Sequence, residues 1–367
     1  MRHKGMTMRF GAHYLPTYVP ELDGPEPEFY RRMFEQTELL DALGYRDVWV
    51  TEHHFHEYGG TIPHPPTFLA AVARGTRQIH LGVAISVLPL HNPLQVAEDY
   101  AMLDVISGGR LEFGVGRGST PAEFGDFRID PADSPVRMRE AMQIIQSAWD
   151  DGVVNFHGQL FAYENVHVLP RPVQRPHPPI WVGASRSDDT YRWAGEHGYH
   201  LMTLPYMYEP AVLQHSIGVY REALAAAGYD PASREILGKF HIYVADSNEA
   251  AQREAASYYE RYSAVAAART PRSTVEVIPR QNQARARHDF AAEVATGNII
   301  AGDPARCIEI IRYWQETASL TTISGTFYFG GMPQEMALAN IRRFAETVMP
   351  AFREAPAPAG AARAAAP

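Results

Sequence analysis

Residues 51–56 read Thr51-Glu52-His53-His54-Phe55-His56 and follow the apolar run Val48-Trp49-Val50. A short apolar run is a buried strand, so one acid and three imidazoles stand just beyond a strand end. Imidazole titrates near neutrality and can give a proton to an oxygen species or take one from it, as peroxide chemistry or enolate formation requires. His53, Glu52 and His54 are therefore the candidate catalytic groups. The same side chains would also suit a loop whose backbone carbonyls satisfy them. With His56 and His64 nearby, a metal site is a third possibility. Against it, successive residues leaving a strand point in opposite directions, so His53 and His54 are badly placed to share one ion. No other strand end carries the ligand set of a barrel hydrolase, and no metal is expected.

Two further turns could hold an anion. Gly114-Val115-Gly116-Arg117-Gly118-Ser119 combines small residues with one guanidinium, which suits close approach through backbone amides and a bidentate fork. Its spacing is GxGxG, not the GxGxxG of a dinucleotide fold, and a plain tight loop would look the same. Ile180–Gly183 runs into Ala184-Ser185-Arg186-Ser187-Asp188-Asp189-Thr190, where Ser187 to Thr190 would form the first turn of a helix. Free amides and the helix dipole favour a phosphate there, although an ordinary serine or aspartate cap reads identically.

These turns must be positioned by a repeating framework. Strands are predicted at Arg9–His13, Asp47–Thr51, His80–Val87, Leu111–Val115, Ile180–Gly183, His200–Thr203, Lys239–Ala245 and Thr322–Phe329, mostly followed by amphipathic segments. Phe29–Leu43 and Pro93–Ile106 are two of the helices, ended by Gly44 and by Ser107-Gly108-Gly109. About eight strand and helix units in one chain predict an α/β fold, a (β/α)8 TIM barrel with insertions, whose reactive groups sit at C-terminal strand ends. A single domain over residues 1–352 is expected, with a hairpin insertion at about 152–179, a lid or disordered loop at about 263–297, and a disordered tail at 353–367. Tyr14, Tyr18, Tyr206, Met207, Tyr208, Phe327 and Tyr328 lie near strand ends and are expected to line a substrate cavity, unless they pack the core.

Composition narrows the partners. The net charge of -9 argues against nucleic acid and anionic membranes, which leaves a small-molecule substrate. No apolar run is long enough for a membrane span and no signal peptide is evident, so a cytoplasmic location is expected. The single cysteine, Cys307, excludes an internal disulfide and fits a reducing compartment.

Taken in order, EHHF at 52–55, LGVAISVLPLHNP at 81–93, LDVISGGRLEFGVGRG at 103–118, WVGAS at 181–185, and GGMPQE with FAETVMP near the C-terminus resemble the bacterial luciferase-like flavin monooxygenases, especially the luciferase alpha subunit, over residues 8–352. The resemblance implies reduced FMN delivered by a separate NAD(P)H flavin reductase, and reaction with O2 through a C4a-peroxyflavin to oxygenate a small organic or carbonyl-containing substrate. By the same resemblance His53 serves that chemistry, with Glu52 or His54 orienting it. Arg117 and Arg137 meet the flavin phosphate together with Ser185, Ser187, Thr190 and the backbone of Arg186. Ala84-Ile85 is a cis peptide beneath the flavin ring. Gly116 stands where that subunit has a reactive cysteine, and light emission is not implied. Two alternatives remain within the superfamily: a hydride-transferring enzyme that uses the deazaflavin F420, and a flavin-binding protein without turnover. A homodimer is expected, with Phe68–Arg77 and Pro93–Ile106 as candidate interface helices.

Overall fold

The computed structural model describes residues 8–185, 187–269 and 289–353. Its twelve strands are β1 (Arg9–Tyr14), β2 (Asp47–Val50), β3 (His80–Val83), β4 (Ser86–Val87), β5 (Leu111–Gly116), β6 (Val153–His157), β7 (Ala162–His167), β8 (Ile180–Gly183), β9 (His200–Thr203), β10 (Ile236–Val244), β11 (Ile299–Gly302) and β12 (Thr322–Thr326). Strands β1, β2, β3, β5, β8, β9, β10 and β12 pair in parallel in that order, and β12 returns to β1. The sheet is a closed eight-stranded (β/α)8 barrel surrounded by helices.

Three local features differ from the sequence pattern. The run expected as one strand over His80–Val87 is divided at a cis peptide between Ala84 and Ile85, and β3 and β4 each pair with β5. The run Ile299–Gly302 forms β11, which was not anticipated; it pairs with His241–Val244 of β10, above the segment Ile236–Gly238 that pairs with β9. The expected loop at 263–297 is helical at both described ends. Helix Asn248–Arg269 continues past Ser263 because Tyr262 and Ser263 are buried against the barrel, and Asp289 caps helix Phe290–Ala295 by accepting from the Ala291 amide at 2.9 Å. Residues 270–288 and 354–367, which hold the middle of that expected loop and nearly all of the expected tail, lie outside the described residues. Within 152–179, β6 and β7 form an antiparallel pair. Among the described residues no helix is long and apolar enough to cross a membrane.

Strand alternation divides the side chains into two sets. Phe10, Ala12, Val48, Val50, Leu81, Phe113, Val115, Val182, Leu201, Phe240, Ile242 and Ile323 join the main core beneath the helices. Their strand neighbours turn to the barrel interior, where Trp49, Trp181, Met202 and Leu237 make a separate apolar cluster packed with Ala84 and Ile85. Toward the N-terminal ends of the strands the interior is polar and mostly paired, with Arg46 Nη1 unpartnered among the described residues. Glu112 accepts from His80 Nδ1 at 2.9 Å, Arg46 Nη2 at 3.2 Å and Trp181 Nε1 at 2.8 Å, while Glu235 pairs with Arg9 and accepts from Thr322 Oγ1.

Candidate active site

The segment after β2 contributes to two hydrogen-bonded clusters, one on each side. Residues 51–56 leave the strand with alternating directions, and His53 and His54 accordingly meet different carboxylates. His53 Nδ1 lies 3.0 Å from Glu123 Oε1, which also meets His56 Nε2 at 3.1 Å and accepts from the His54 amide at 3.2 Å. His54 Nε2 lies 3.1 Å from Glu52 Oε1, which His91 Nε2 approaches at 2.7 Å, and Glu52 Oε2 accepts from the Val87 amide at 3.2 Å.

This partitioning corrects the expected roles. Glu52 and His54 orient each other and the β4 turn, whereas the carboxylate on His53 is Glu123, far away in sequence. Glu123 stands on the short helix Pro121–Asp126 after β5, and Pro121 and Thr120 at that helix start are its only local signature. Burial alone would raise both carboxyls. The imidazole hydrogen bonds outweigh it, holding Glu52 at about 2 and Glu123 well below the usual carboxylate range. Burial works to lower His91, but its contact with Glu52 raises it overall. An ionised Glu123 accepts, so His53 donates to it through Nδ1. Gly59, at φ 82°, permits this placement, since a Cβ there would lie 2.6 Å from His53 Cδ2. Each cluster keeps one carboxylate and two imidazoles within 4.8 Å, a set that could also receive a cation.

The two turns expected to bind an anion lie on adjacent strands, because β5 pairs with β8. Arg117 is exposed just past β5 and forms no ion pair among the described residues. Ser185 is exposed after β8, and Ser187 is the N-cap of helix Asp188–Glu196 without a side-chain cap bond, while Thr190 is partly buried in its first turn. A guanidinium without an ion pair among the described residues, on the strand next to a helix start that lacks a side-chain cap, fits a phosphate. Arg186 lies outside the described residues. Arg137 donates through Nε to the Pro89 carbonyl at 2.8 Å, and its guanidinium lies 5.2 Å from the Phe161 ring. Gly116 contributes through what it lacks. A Cβ there would meet Ile85 Cδ1 at 2.0 Å, so the glycine makes room for the Ile85 side chain inside the barrel. Ala84 and Ile85 thus present a short apolar shelf above the Trp49 and Trp181 cluster, suited to the face of a planar ring.

Several of the residues expected to line a substrate cavity take part in other contacts. Tyr14 packs outward, with its hydroxyl on the Met33 carbonyl and Thr37 Oγ1, because its odd-even phase on β1 places it with Phe10 and Ala12. Phe327 packs edge-on to Tyr45 and Phe344, again under the helices. Tyr328 hydrogen-bonds Asp23, and Tyr18 donates to the Gly24 carbonyl, so both tie down the loop after β1. Tyr206, Met207 and Tyr208 are half-buried on the turn after β9. Facing inward instead are groups not anticipated from sequence: His13, Lys239 and His241 on strands, Phe329 beyond β12, and Tyr262 from helix Asn248–Arg269, whose hydroxyl lies 3.0 Å from that of Tyr58. A lysine and a histidine two apart within the apolar strand Ile-Leu-Gly-Lys-Phe-His-Ile-Tyr-Val were the available signal.

Known proteins share this architecture. A family model described as luciferase-like monooxygenase matches residues 8–321. The flavin-dependent trigonelline monooxygenase, oxygenase component, of Acinetobacter baylyi is 28% identical over 337 residues, covering 90% of this chain and 91% of that protein. An uncharacterized protein of Sinorhizobium fredii, y4wF, is 43% identical over 161 residues, and there the match spans 44% of this chain and 46% of the relative. The crystal structure of monooxygenase RslO1 from Streptomyces bottropensis superposes with a TM-score of 0.83 at 30% identity, covering 94% of this chain and all of that one. The oxygenating constituent of 3,6-diketocamphane monooxygenase from Pseudomonas putida, in complex with FMN (TM-score 0.76, 18% identity), and an F420-dependent secondary alcohol dehydrogenase (0.73, 20%) share the fold. With the family model matching most of its length, the chain belongs to the luciferase-like monooxygenase family.

Proposed function

We propose that this chain is the oxygenase component of a two-component flavin-dependent monooxygenase, receiving reduced FMN from a separate NAD(P)H flavin reductase and using O2 to oxygenate a small organic or carbonyl-containing substrate. The name of the Acinetobacter relative, an oxygenase component, supports the division of labour. The observation that carries the reading is the His53–Glu123 pair at the barrel mouth, on the same side as the open anion-binding turns of Arg117 and Ser187. Bound reduced FMN would supply the electrons and the activation of O2.

The protein's own groups divide the remaining work. Arg117, Ser187 and Thr190 hold the phosphate, and Ala84 with Ile85 supports the ring. His53, held through Nδ1 on Glu123, is oriented to hold or move a proton of the reacting oxygen. Glu52, His54 and His91 brace the β4 turn that carries Ile85. Self-association through helix Pro93–Ser107 is supported by its exposed Met102, Val105 and Ile106, and sedimentation of the purified protein checks it.

The test mixes reduced FMN and oxygen with the wild-type protein and with His53→Ala, and follows hydrogen peroxide release. Wild type should delay release relative to free reduced FMN, and the substitution should abolish most of the delay, by about a hundredfold. Equal release by both proteins removes His53 from the mechanism. Reduction of F420 by an alcohol without oxygen uptake would assign the hydride-transferring alternative, and tight flavin binding with no effect on either reaction a binding protein.

A further inference from the structure

Lys239 stands in the middle of β10, pointing into the barrel, 2% exposed. Its Nζ has neither a hydrogen-bond partner nor an ion pair among the described residues. It lies 5.8 Å from the centre of the Tyr206 ring and 6.0 Å from that of Tyr262. Two positions along the same face, His241 is 4% exposed and its Nε2 is unpartnered, with its ring 4.4 Å from that of Tyr262 and 5.3 Å from that of Phe329. Across the barrel seam, His13 on β1 is buried with an unpartnered Nδ1, its Nε2 meeting Thr51 Oγ1 at 2.8 Å. On the intervening strand β12, Ser324 pairs in register with Lys239 and Thr326 with His241, so their side chains share that face. Both hydroxyls are unpartnered too.

Buried polar groups are nearly always satisfied, and five unsatisfied ones converging from three adjacent strands demand a partner. One is a cation with no counter-charge. Burial pushes its ammonium down to about 7, and burial combined with Lys239 lowers His13 and His241 well below their ordinary value, so all the fixed chemistry there is donor or neutral. An anion accepting from Nζ would restore the ammonium and supply the counter-charge it lacks.

Resting on the oxygenase reading, we propose that Lys239, with His13 and His241, receives an oxyanion of the substrate, a carboxylate or an ionised phenol or enol, on an aromatic or conjugated molecule held between Tyr206, Tyr262 and Phe329. The link to the reacting centre is direct. Tyr262 bonds Tyr58, whose ring lies 5.9 Å from that of His53, so a substrate anchored at Lys239 extends toward His53. Its acidic end is thereby fixed and its remaining face offered to oxygenation.

Binding to the full chain without flavin tests this independently of any oxygen chemistry. Calorimetry compares benzoate with benzamide, and para-nitrophenolate with nitrobenzene, on the wild type, Lys239→Met and Lys239→Arg. The charged member of at least one pair should bind about tenfold more tightly than its neutral counterpart, Met should erase the preference and Arg should retain part of it. The pair that shows the preference identifies the carboxylate or the phenolate class. Lys239→Met should also raise Tm, because a group held for ligand binding costs stability in the free protein. Absence of binding, equal binding within both pairs, or a preference that survives in Lys239→Met overturns the proposal. If these fail while peroxide release still depends on His53, the oxygenase reading stands without this substrate class.

Discussion

The two ends of the barrel interior are made by the same strands with the same alternation, yet they are finished differently. At the N-terminal end Glu112 accepts from His80, Arg46 and Trp181, and Glu235 from Arg9 and Thr322, although Arg46 Nη1 has no partner among the described residues. From mid-barrel toward the C-terminal end Lys239, His241, His13, Ser324 and Thr326 each keep an atom unpaired among the described residues although all are buried. Between them the Trp49 and Trp181 rings, 5.2 Å apart at 75°, form an apolar partition with Met202 and Leu237. A paired buried charge is a structural commitment, whereas an unpaired one is tolerated where something else is to bind. The contrast teaches that polarity inside a barrel is not itself a sign of function; the convergence of several unpartnered groups on one face is what motivates a ligand there.

The sharpest way to break this comparison is at the paired end. Glu112→Ala removes the acceptor of three donors and should cost about 4 kcal/mol of unfolding free energy in a denaturant titration, because His80, Arg46 and Trp181 are left without it. If Lys239→Met destabilises as much, the two ends are equivalent and the distinction fails.

A smaller effect comes from Glu52, which is fully paired although it stands at the functional end. Its folded-state value of about 2 lies below its ordinary 4.5, so its contribution is complete above about 4.5 and is lost as pH falls through 2. His91 shifts the opposite way. Raised above 6.5, it stabilises fully below that value, and the contribution fades as pH rises through its folded value. Glu52→Gln should flatten both slopes, on the order of 2 kcal/mol across the acid window, in thermal unfolding measured against pH. An unchanged acid limb would mean the Glu52–His91 contact contributes nothing.

The smallest change is expected at the exposed Arg117. Arg117→Ala should weaken FMN binding about tenfold and leave Tm unchanged, since a charge-assisted contact at the mouth is lost but no packing. Unchanged FMN affinity would return the glycine turn to a purely structural role.

Much of the molecule is written locally. Apolar runs four to nine residues long, with helix signals between them, specify the barrel, and strand ends point to the turns at 51–56, 114–119 and 184–190. The short run at 299–302 escaped because Ile-Ile-Ala-Gly is too brief for periodicity to separate strand from helix. Parity misled at Tyr14 and Phe327: proximity to a strand end does not say which face a side chain takes, and both went to the helices.

The residue types and their order fixed that a histidine, an acid and a guanidinium would stand at the mouth of one barrel, because turn chemistry and strand period are properties of neighbours along the chain. Only the tertiary structure decided that His53 belongs to Glu123 and not to Glu52, and that Lys239 has no counter-ion among the described residues. Those outcomes depend on which strands close beside one another and on what burial leaves unpaired, and no local pattern encodes either.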